Sequence, residues 1–152
     1  MHSFKDNQDR QWELNLTIGS VRRVKGLLDI NLLEPEAGEP PLLTRLGTDE
    51  MLLVDVIFCL CKPQADENNI SDEQFGEGLG GEAILAAQQA FYDELVDFFR
   101  KRGRTDRATA VMKQAKVIRM AVEKVTTIVE SLDLESEMDK ALKEASGNSP
   151  ES

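Results

Sequence analysis

The feature that most constrains the fold is an apolar run from Met51 to Cys61, in which Asp55 is the only polar residue. A segment that is apolar on all sides belongs among other packed elements, because no side of it favours water. Periodicity does not separate a buried helix from a buried strand here, but the length of the run favours a helix. We therefore predict a central helix, and a buried strand is the alternative.

The residues on either side of the run also favour a helix. Thr48 or Asp49 can accept hydrogen bonds from the free amides of the first turn, and Glu50 suits the positive end of the helix dipole. We expect Pro63 to end the helix, because proline lacks the amide hydrogen that the next turn needs. The run is far shorter than the ~20 apolar residues of a membrane span.

Composition restricts the class of protein. The formal charge of −10 opposes general binding to nucleic acid or anionic lipid unless the basic residues are segregated. The length of 152 residues is typical of one domain with a substantial core. Cys59 and Cys61 would point in different directions on a helix, so we expect two free thiols in a reducing compartment. The first residues lack the apolar run of a signal peptide, and we expect a cytoplasmic protein.

The N-terminal part predicts a small β element. Residues 1–11 are polar, and we expect them to be flexible. Apolar residues then alternate with polar ones from Trp12 to Ile18, the pattern of a half-buried strand. Ser20 is a candidate cap for a short helix ending near Leu28. The apolar piece from Ile30 to Leu33 is a candidate partner strand.

Two further helices are indicated before residue 103. Ser71 and Gln74 have the spacing of a capping box, which predicts a short helix. A longer helix is predicted from Glu82 to about Arg102, and its apolar stripe consists of Ile84, Ala87, Phe91, Leu95 and Phe98. Its aromatic residues bury large areas, so we expect it to pack directly on the central helix. Between them, the glycines from Gly76 to Gly81 fit the letters of a phosphate-binding loop. No strand precedes them and the neighbouring residues are acidic, so we interpret the segment as a turn.

The most specific pattern is an unbroken heptad in the C-terminal third, which predicts one long helix capped by Thr105 or Asp106. This apolar row either packs within the molecule or pairs between molecules, and its length favours a partner helix or self-association. We call it the heptad seam: Ala108, Val111, Ala115, Ile118, Val122, Val125, Val129 and Leu132.

Basic charge is segregated in residues 100–124, where nine basic residues stand against two acidic ones. Such an asymmetry suits a charge-steered contact with an acidic protein or with another copy of this chain. Nucleic acid is disfavoured, because the span has no interleaved aromatic residues and no binding motif. A solvated face that only balances local charge is the plain alternative. The predicted basic face consists of Arg100, Arg104, Arg107, Lys113, Lys116 and Arg119.

The chain offers little material for catalysis or metal binding. Asp93, Glu94 and Asp97 fall within one helical turn, but the single histidine is His2 in the N-terminal segment, so we expect a solvated acidic face. Asp55 is expected to pair with an arginine or to cap a helix, because burying a lone carboxylate is costly. No nucleophile and base can be combined from these residues. We expect a non-enzymatic protein without a cofactor or metal.

These observations predict a mainly α fold with a small N-terminal β element, that is, an α+β protein. Helices pack around the central apolar helix, and a long heptad helix follows at the C-terminus. We expect a flexible segment 1–11, one helical-rich domain 12–132 and an acidic, mostly disordered tail 133–152.

The order of several segments resembles the tail assembly chaperones of long-tailed bacteriophages and prophages. The resemblance covers about two-thirds of the chain, and residues after Arg104 fall outside it. It is carried by Trp12–Leu16, Val21–Leu33, Leu46–Asp49 with Leu53–Val56, Ser71–Phe75 and Ala90–Phe99.

The resemblance implies a non-enzymatic protein that binds the tape-measure protein, keeps it soluble and helps recruit tail-tube subunits in the bacterial host cytoplasm. It also implies a homo-oligomer, with which an intermolecular heptad seam would agree. The alternatives are a helical adaptor or regulatory module and, less favoured, a nucleic-acid-binding protein that uses the basic face.

Overall fold

The protein is mainly helical with a small antiparallel sheet at its N-terminus, which confirms the predicted fold class. The computed structural model describes residues 1–120, 123–124, 132 and 138. The chain divides into two units, Met1–Ala115 and Lys116–Ser152. This division falls within the segment 12–132 that the sequence predicts as one domain.

The elements follow one another with short connections, except for the thirteen residues 29–41 between the first two helices. The strands are β1 (His2–Lys5) and β2 (Gln11–Leu14), and the helices are α1 (Ile18–Leu28), α2 (Leu42–Thr48), α3 (Glu50–Glu67), α4 (Asp72–Glu77) and α5 (Glu82–Lys101). A sixth helix, α6, begins at residue 105 and is described as far as residue 120. The predicted tail 133–152 lies outside the described residues except for position 138.

The N-terminal hairpin corrects the expectation that residues 1–11 are flexible. β1 pairs antiparallel with β2, and the buried Phe4 lies opposite Trp12. The partner strand is therefore the N-terminal segment and not Ile30–Leu33. The predicted alternation ends early, because Ile18 is exposed and already belongs to α1.

The start of α1 shows why the strand is short. Thr17, and not Ser20, is the N-cap: its side chain accepts a hydrogen bond from the Ser20 amide at 3.1 Å. The Ser20 hydroxyl accepts one from the Thr17 amide at 2.8 Å, which completes a capping box. The chain therefore turns into a helix three residues earlier than predicted.

The predicted central helix is confirmed as α3, which contacts β2, α1, α2, α4 and α5. Asp49 caps it and accepts a hydrogen bond from the Leu52 amide at 3.1 Å. The expectation of burial on all sides is wrong, because Met51 is 80% exposed and Asp55 is also exposed. The helix has a solvent face near its N-terminal end.

The expectation that Pro63 ends α3 is wrong, since the helix continues to Glu67. Proline leaves the carbonyl of Cys59, four residues earlier, without its usual backbone donor. The guanidinium of Arg23 on α1 takes that place and donates to the Cys59 carbonyl at 2.9 Å. A side chain from a neighbouring helix thus satisfies the acceptor that the proline abandons.

Helix α5 has the predicted length and buries its aromatic stripe, but it does not pack mainly on the central helix. Its most extensive contact is with β1, and its contact with α3 is smaller. The ring of Phe75 from α4 also packs on the hairpin, with its centre 4.9 Å from that of Trp12 and 5.2 Å from that of Phe58. The hairpin is therefore packed by α5 and by this aromatic cluster.

Replacing Arg23 with methionine tests the hydrogen bond at the proline. We expect Arg23→Met to lower the free energy of unfolding by about 1–3 kcal/mol, because the Cys59 carbonyl loses its donor. In a Pro63→Ala background the restored amide of residue 63 donates to the Cys59 carbonyl. Arg23→Met should then lower the free energy of unfolding by less than half as much. Urea denaturation of the four proteins in this double-mutant cycle measures the difference.

Arg22→Met is the matched control, because Arg22 is the exposed neighbour on the same helix. It should change stability little in either background. Equal losses from Arg23→Met with and without Pro63 would contradict this explanation.

Candidate functional site

The heptad seam does not have one environment. Ala108 and Val111 are buried, with 1% and 0% of their surfaces exposed. Ala115 and Ile118 are half-buried, whereas Leu132 is 57% exposed. The remaining seam positions, Val122, Val125 and Val129, lie outside the described residues. The beginning of the seam therefore contributes to the core of the first unit.

The predicted basic face is also divided. Arg100, Lys113, Lys116 and Arg119 are exposed. Arg104 is bound by its neighbour Asp106, with Nη2 2.9 Å from the carboxylate. That pair lowers the pKa of Asp106 to about 2.

Arg107 is half-buried and engaged within the molecule, so it is not a free member of the basic face. Its guanidinium donates to the Leu33 carbonyl and to the Glu36 carboxylate, and it lies 6.0 Å from the centre of the Phe99 ring. These contacts tie the start of α6 to the loop before α2. Charge clustering in the sequence predicts an exposed Arg107, because it does not reveal a partner 71 residues away.

A groove in the first unit was not expected from the sequence. It has a volume of about 540 Å³ and lies between the N-terminal end of α3 and the loop that joins α4 to α5. Three of its described lining residues are acidic and none is basic. We call it the acidic groove: Glu50, Met51, Val54, Asp55, Asp72, Gly76, Leu79, Gly81 and Ile84.

The carboxylates of the acidic groove repel one another. Partial desolvation raises the pKa of Asp55, and the nearby charges of Asp72 and Asp49 raise it further. Asp55 is thus neither buried nor a cap, and the expectation that it pairs with an arginine is wrong. A cation or a basic side chain placed near these carboxylates would reduce their repulsion.

The glycine-rich segment packs against the β1–β2 turn. The Asn7 amide donates to the Gly78 carbonyl at 2.8 Å, and the Asn7 side chain donates to the Gly80 carbonyl at 3.0 Å. A Cβ atom on Gly78 would lie 2.9 Å from a carboxylate oxygen of Asp6. Position 78 therefore needs glycine, because a side chain there would collide with Asp6. This structural role agrees with the interpretation of the segment as a turn.

Asp6 is a buried carboxylate that organises this turn. One oxygen accepts the amides of Gln8 and Arg10, and the other accepts the Arg10 guanidinium at 2.8 Å and the Trp12 indole at 2.9 Å. Desolvation alone would raise the pKa of Asp6. The hydrogen bonds from Trp12 and Arg10 outweigh it and hold that pKa below its usual value.

Glu94 corrects the expectation of a solvated acidic face on α5. It is 5% exposed and accepts the Leu16 amide at 2.8 Å. His2 lies between it and Asp97, with ring nitrogens 2.9 Å and 3.4 Å from the two carboxylates. Burial would raise the pKa of Glu94, but the hydrogen bonds from Leu16 and His2 lower it overall. The carboxylate joins the N-terminal residues to α5.

The described residues contain no group of three or more histidine, cysteine, aspartate or glutamate side chains placed to hold a metal ion. Both cysteines are free and buried, and burial raises the pKa of Cys61 to about 12. That thiol is protonated at neutral pH and is a poor nucleophile. Among the described helices, none is long and apolar enough to span a membrane.

Comparisons with known proteins identify no relative. No protein family, no curated protein and no solved structure matches the chain.

Replacing Asp6 with asparagine tests the buried carboxylate. The new amide would face the donors of Arg10 and Trp12, so we expect a loss of about 2–4 kcal/mol at pH 7. The pKa of Asp6 is lowered by folding, so its contribution is present above the pKa of the unfolded chain and is lost as the pH falls through the folded value. The difference between wild type and variant should therefore shrink once the pH is low enough to protonate Asp6 in the folded chain.

Urea denaturation followed by the fluorescence of Trp12, the only tryptophan, measures this difference. Asp9→Asn is the control, because Asp9 is exposed in the same turn. A difference that stays constant from neutral to acidic pH would show that the carboxylate charge is not what stabilises the hairpin.

Proposed function

We propose that the protein is a non-enzymatic tail assembly chaperone of a long-tailed phage or prophage. Its client is the tape-measure protein, which it keeps soluble in the cytoplasm of the bacterial host during tail assembly. Support comes from the resemblance of the segments between Trp12 and Phe99 and from exposed apolar side chains in the second unit.

Those exposed side chains are the observation on which the proposal rests. In the second unit, the described residues with more than half of their surface exposed include four large apolar ones. They are Val117 at 63%, Met120 at 57%, Leu132 at 57% and Met138 at 58%. Large apolar side chains are costly to leave in water, and methionine adapts to apolar partners of varied shape.

Leu132 and Met138, the two that lie farthest along the chain, suit a helical client. An amphipathic helix binds by placing its apolar side chains against complementary ones, and burial of about 100 Å² of apolar surface contributes about 2.5 kcal/mol. The tape-measure proteins implied by the resemblance are long and largely helical, so each copy would cover one stretch. The net charge of −10 would keep such a loaded complex soluble.

A helical adaptor with an unrelated partner would use the same exposed residues. The two functions differ in the client, since an adaptor has no reason to bind a tape-measure chain. Binding of tail-tube subunits would follow as a later step of the chaperone function and is part of the same proposal.

Co-expression with the tape-measure protein of the same phage or prophage tests the proposal. We expect the chaperone to raise the soluble fraction of the client several-fold. Leu132→Asp with Met138→Asp should abolish the gain, because charged side chains are costly to bury against an apolar helix. The measurement is the amount of client in the supernatant after centrifugation, with co-purification as the second readout.

Ile18→Asp with Leu27→Asp is the matched control. These residues are also exposed and apolar, at 45% and 55%, but lie on α1. The control variant should keep the activity. A client that stays insoluble with the wild-type chain, or that is rescued equally by both variants, would contradict the proposal.

A further inference from the structure

We propose that the acidic groove binds residues 116–124 of a second copy of this chain. The contact is head-to-tail, with the groove of one copy against the basic segment of the next. It goes beyond client binding, because it assigns a self-association site and holds whatever the client is.

The groove has the chemistry of a site for a basic amphipathic helix. Apolar side chains of Val54, Leu79 and Ile84 line it, and the carboxylates of Glu50, Asp55 and Asp72 are also among its lining residues. A helix that supplies both apolar and basic side chains would cover the former and neutralise the latter.

Glycines keep the groove open. A Cβ atom placed on Gly76 or on Gly81 would meet no heavy atom within 4 Å. Gly76 lies within α4 and has no positive φ angle, so its backbone does not require glycine. Since glycine is a poor helix former, the absence of a side chain at this position is better explained by the space that it leaves.

Residues 116–124 carry the complementary chemistry. Val117 and Met120 are exposed and lie one turn apart on α6. Three exposed basic residues accompany them: Lys116, Arg119 and Lys124. The segment therefore offers apolar side chains flanked by positive charge.

Charge favours a second copy as the occupant. The chain as a whole is acidic, with a formal charge of −10, yet residues 100–124 hold nine of its eighteen basic residues. The acidic groove repels most of the chain, which is acidic, and attracts this basic segment. Because the two surfaces differ, a bound pair of copies still has one free groove and one free basic segment. Association of this kind closes into a ring or continues as a filament.

Charge reversal in both partners tests the contact on the full chain. One variant carries Asp55→Lys with Asp72→Lys, and the other carries Lys116→Glu with Arg119→Glu. Light scattering over a range of concentrations should show assemblies for wild type and monomers for each variant alone. An equimolar mixture of the two variants should associate again, because each groove then meets a segment of opposite charge.

Salt gives an independent readout. Raising ionic strength from about 0.1 M to about 1 M shortens the Debye length from about 10 Å to about 3 Å. The association constant of wild type should fall at least tenfold over this range.

A second variant blocks the groove without changing its charge. Gly76→Leu adds a side chain in the open space and should abolish association while circular dichroism shows an intact fold. Gly26→Leu on α1 is the matched control, because a Cβ atom there also meets nothing within 4 Å. The control should associate as wild type does.

Four outcomes would overturn the proposal. They are a wild type that is monomeric at all concentrations, groove variants that remain associated, a mixture of reversed variants that stays monomeric, and Gly76→Leu that associates as Gly26→Leu does. Persistent association in the groove variants would assign the contact to the heptad seam instead.

Discussion

The buried carboxylate of Asp6 organises the β1–β2 turn, against which the loop between α4 and α5 packs. It accepts four hydrogen bonds within the β1–β2 turn and fixes the indole of Trp12, which in turn contacts Phe75. Gly78 packs closely against it, so the loop between α4 and α5 is positioned by the same group. Because that loop lines the acidic groove, the shape of the groove depends on a buried charge in the hairpin.

The sequence predicts the elements whose signals are local. The capping box of Ser71 and Gln74, the cap at Asp49 and the helix from Glu82 are formed by neighbours along the chain, and all three occur in the structure. The errors concern groups whose partners are distant. Glu94 looks like a solvated acid, and Pro63 looks like the end of a helix, until a donor from another element is placed beside each of them.

The candidate sites follow the same division. The heptad predicts a helix but not which side of it is covered, and the structure buries Ala108 and Val111 while leaving Leu132 exposed. The acidic groove combines side chains from positions 50 to 84, so no window of sequence contains it. A local trace of it is Gly76, a poor helix former inside the capped helix α4. Charge segregation identifies residues 100–124 correctly as basic but does not show that Arg107 is engaged inside the molecule.

The pairing of Arg23 with the carbonyl behind Pro63 also limits how this protein can evolve. A lineage that loses the arginine first passes through a form with an orphaned acceptor on a buried residue, whereas one that loses the proline first does not. Substitutions at the two positions should therefore accumulate in a preferred order, with position 63 changing before position 23. While the proline is present, Arg23 is costly to replace. A residue that weakens its own helix therefore constrains a residue of the neighbouring helix.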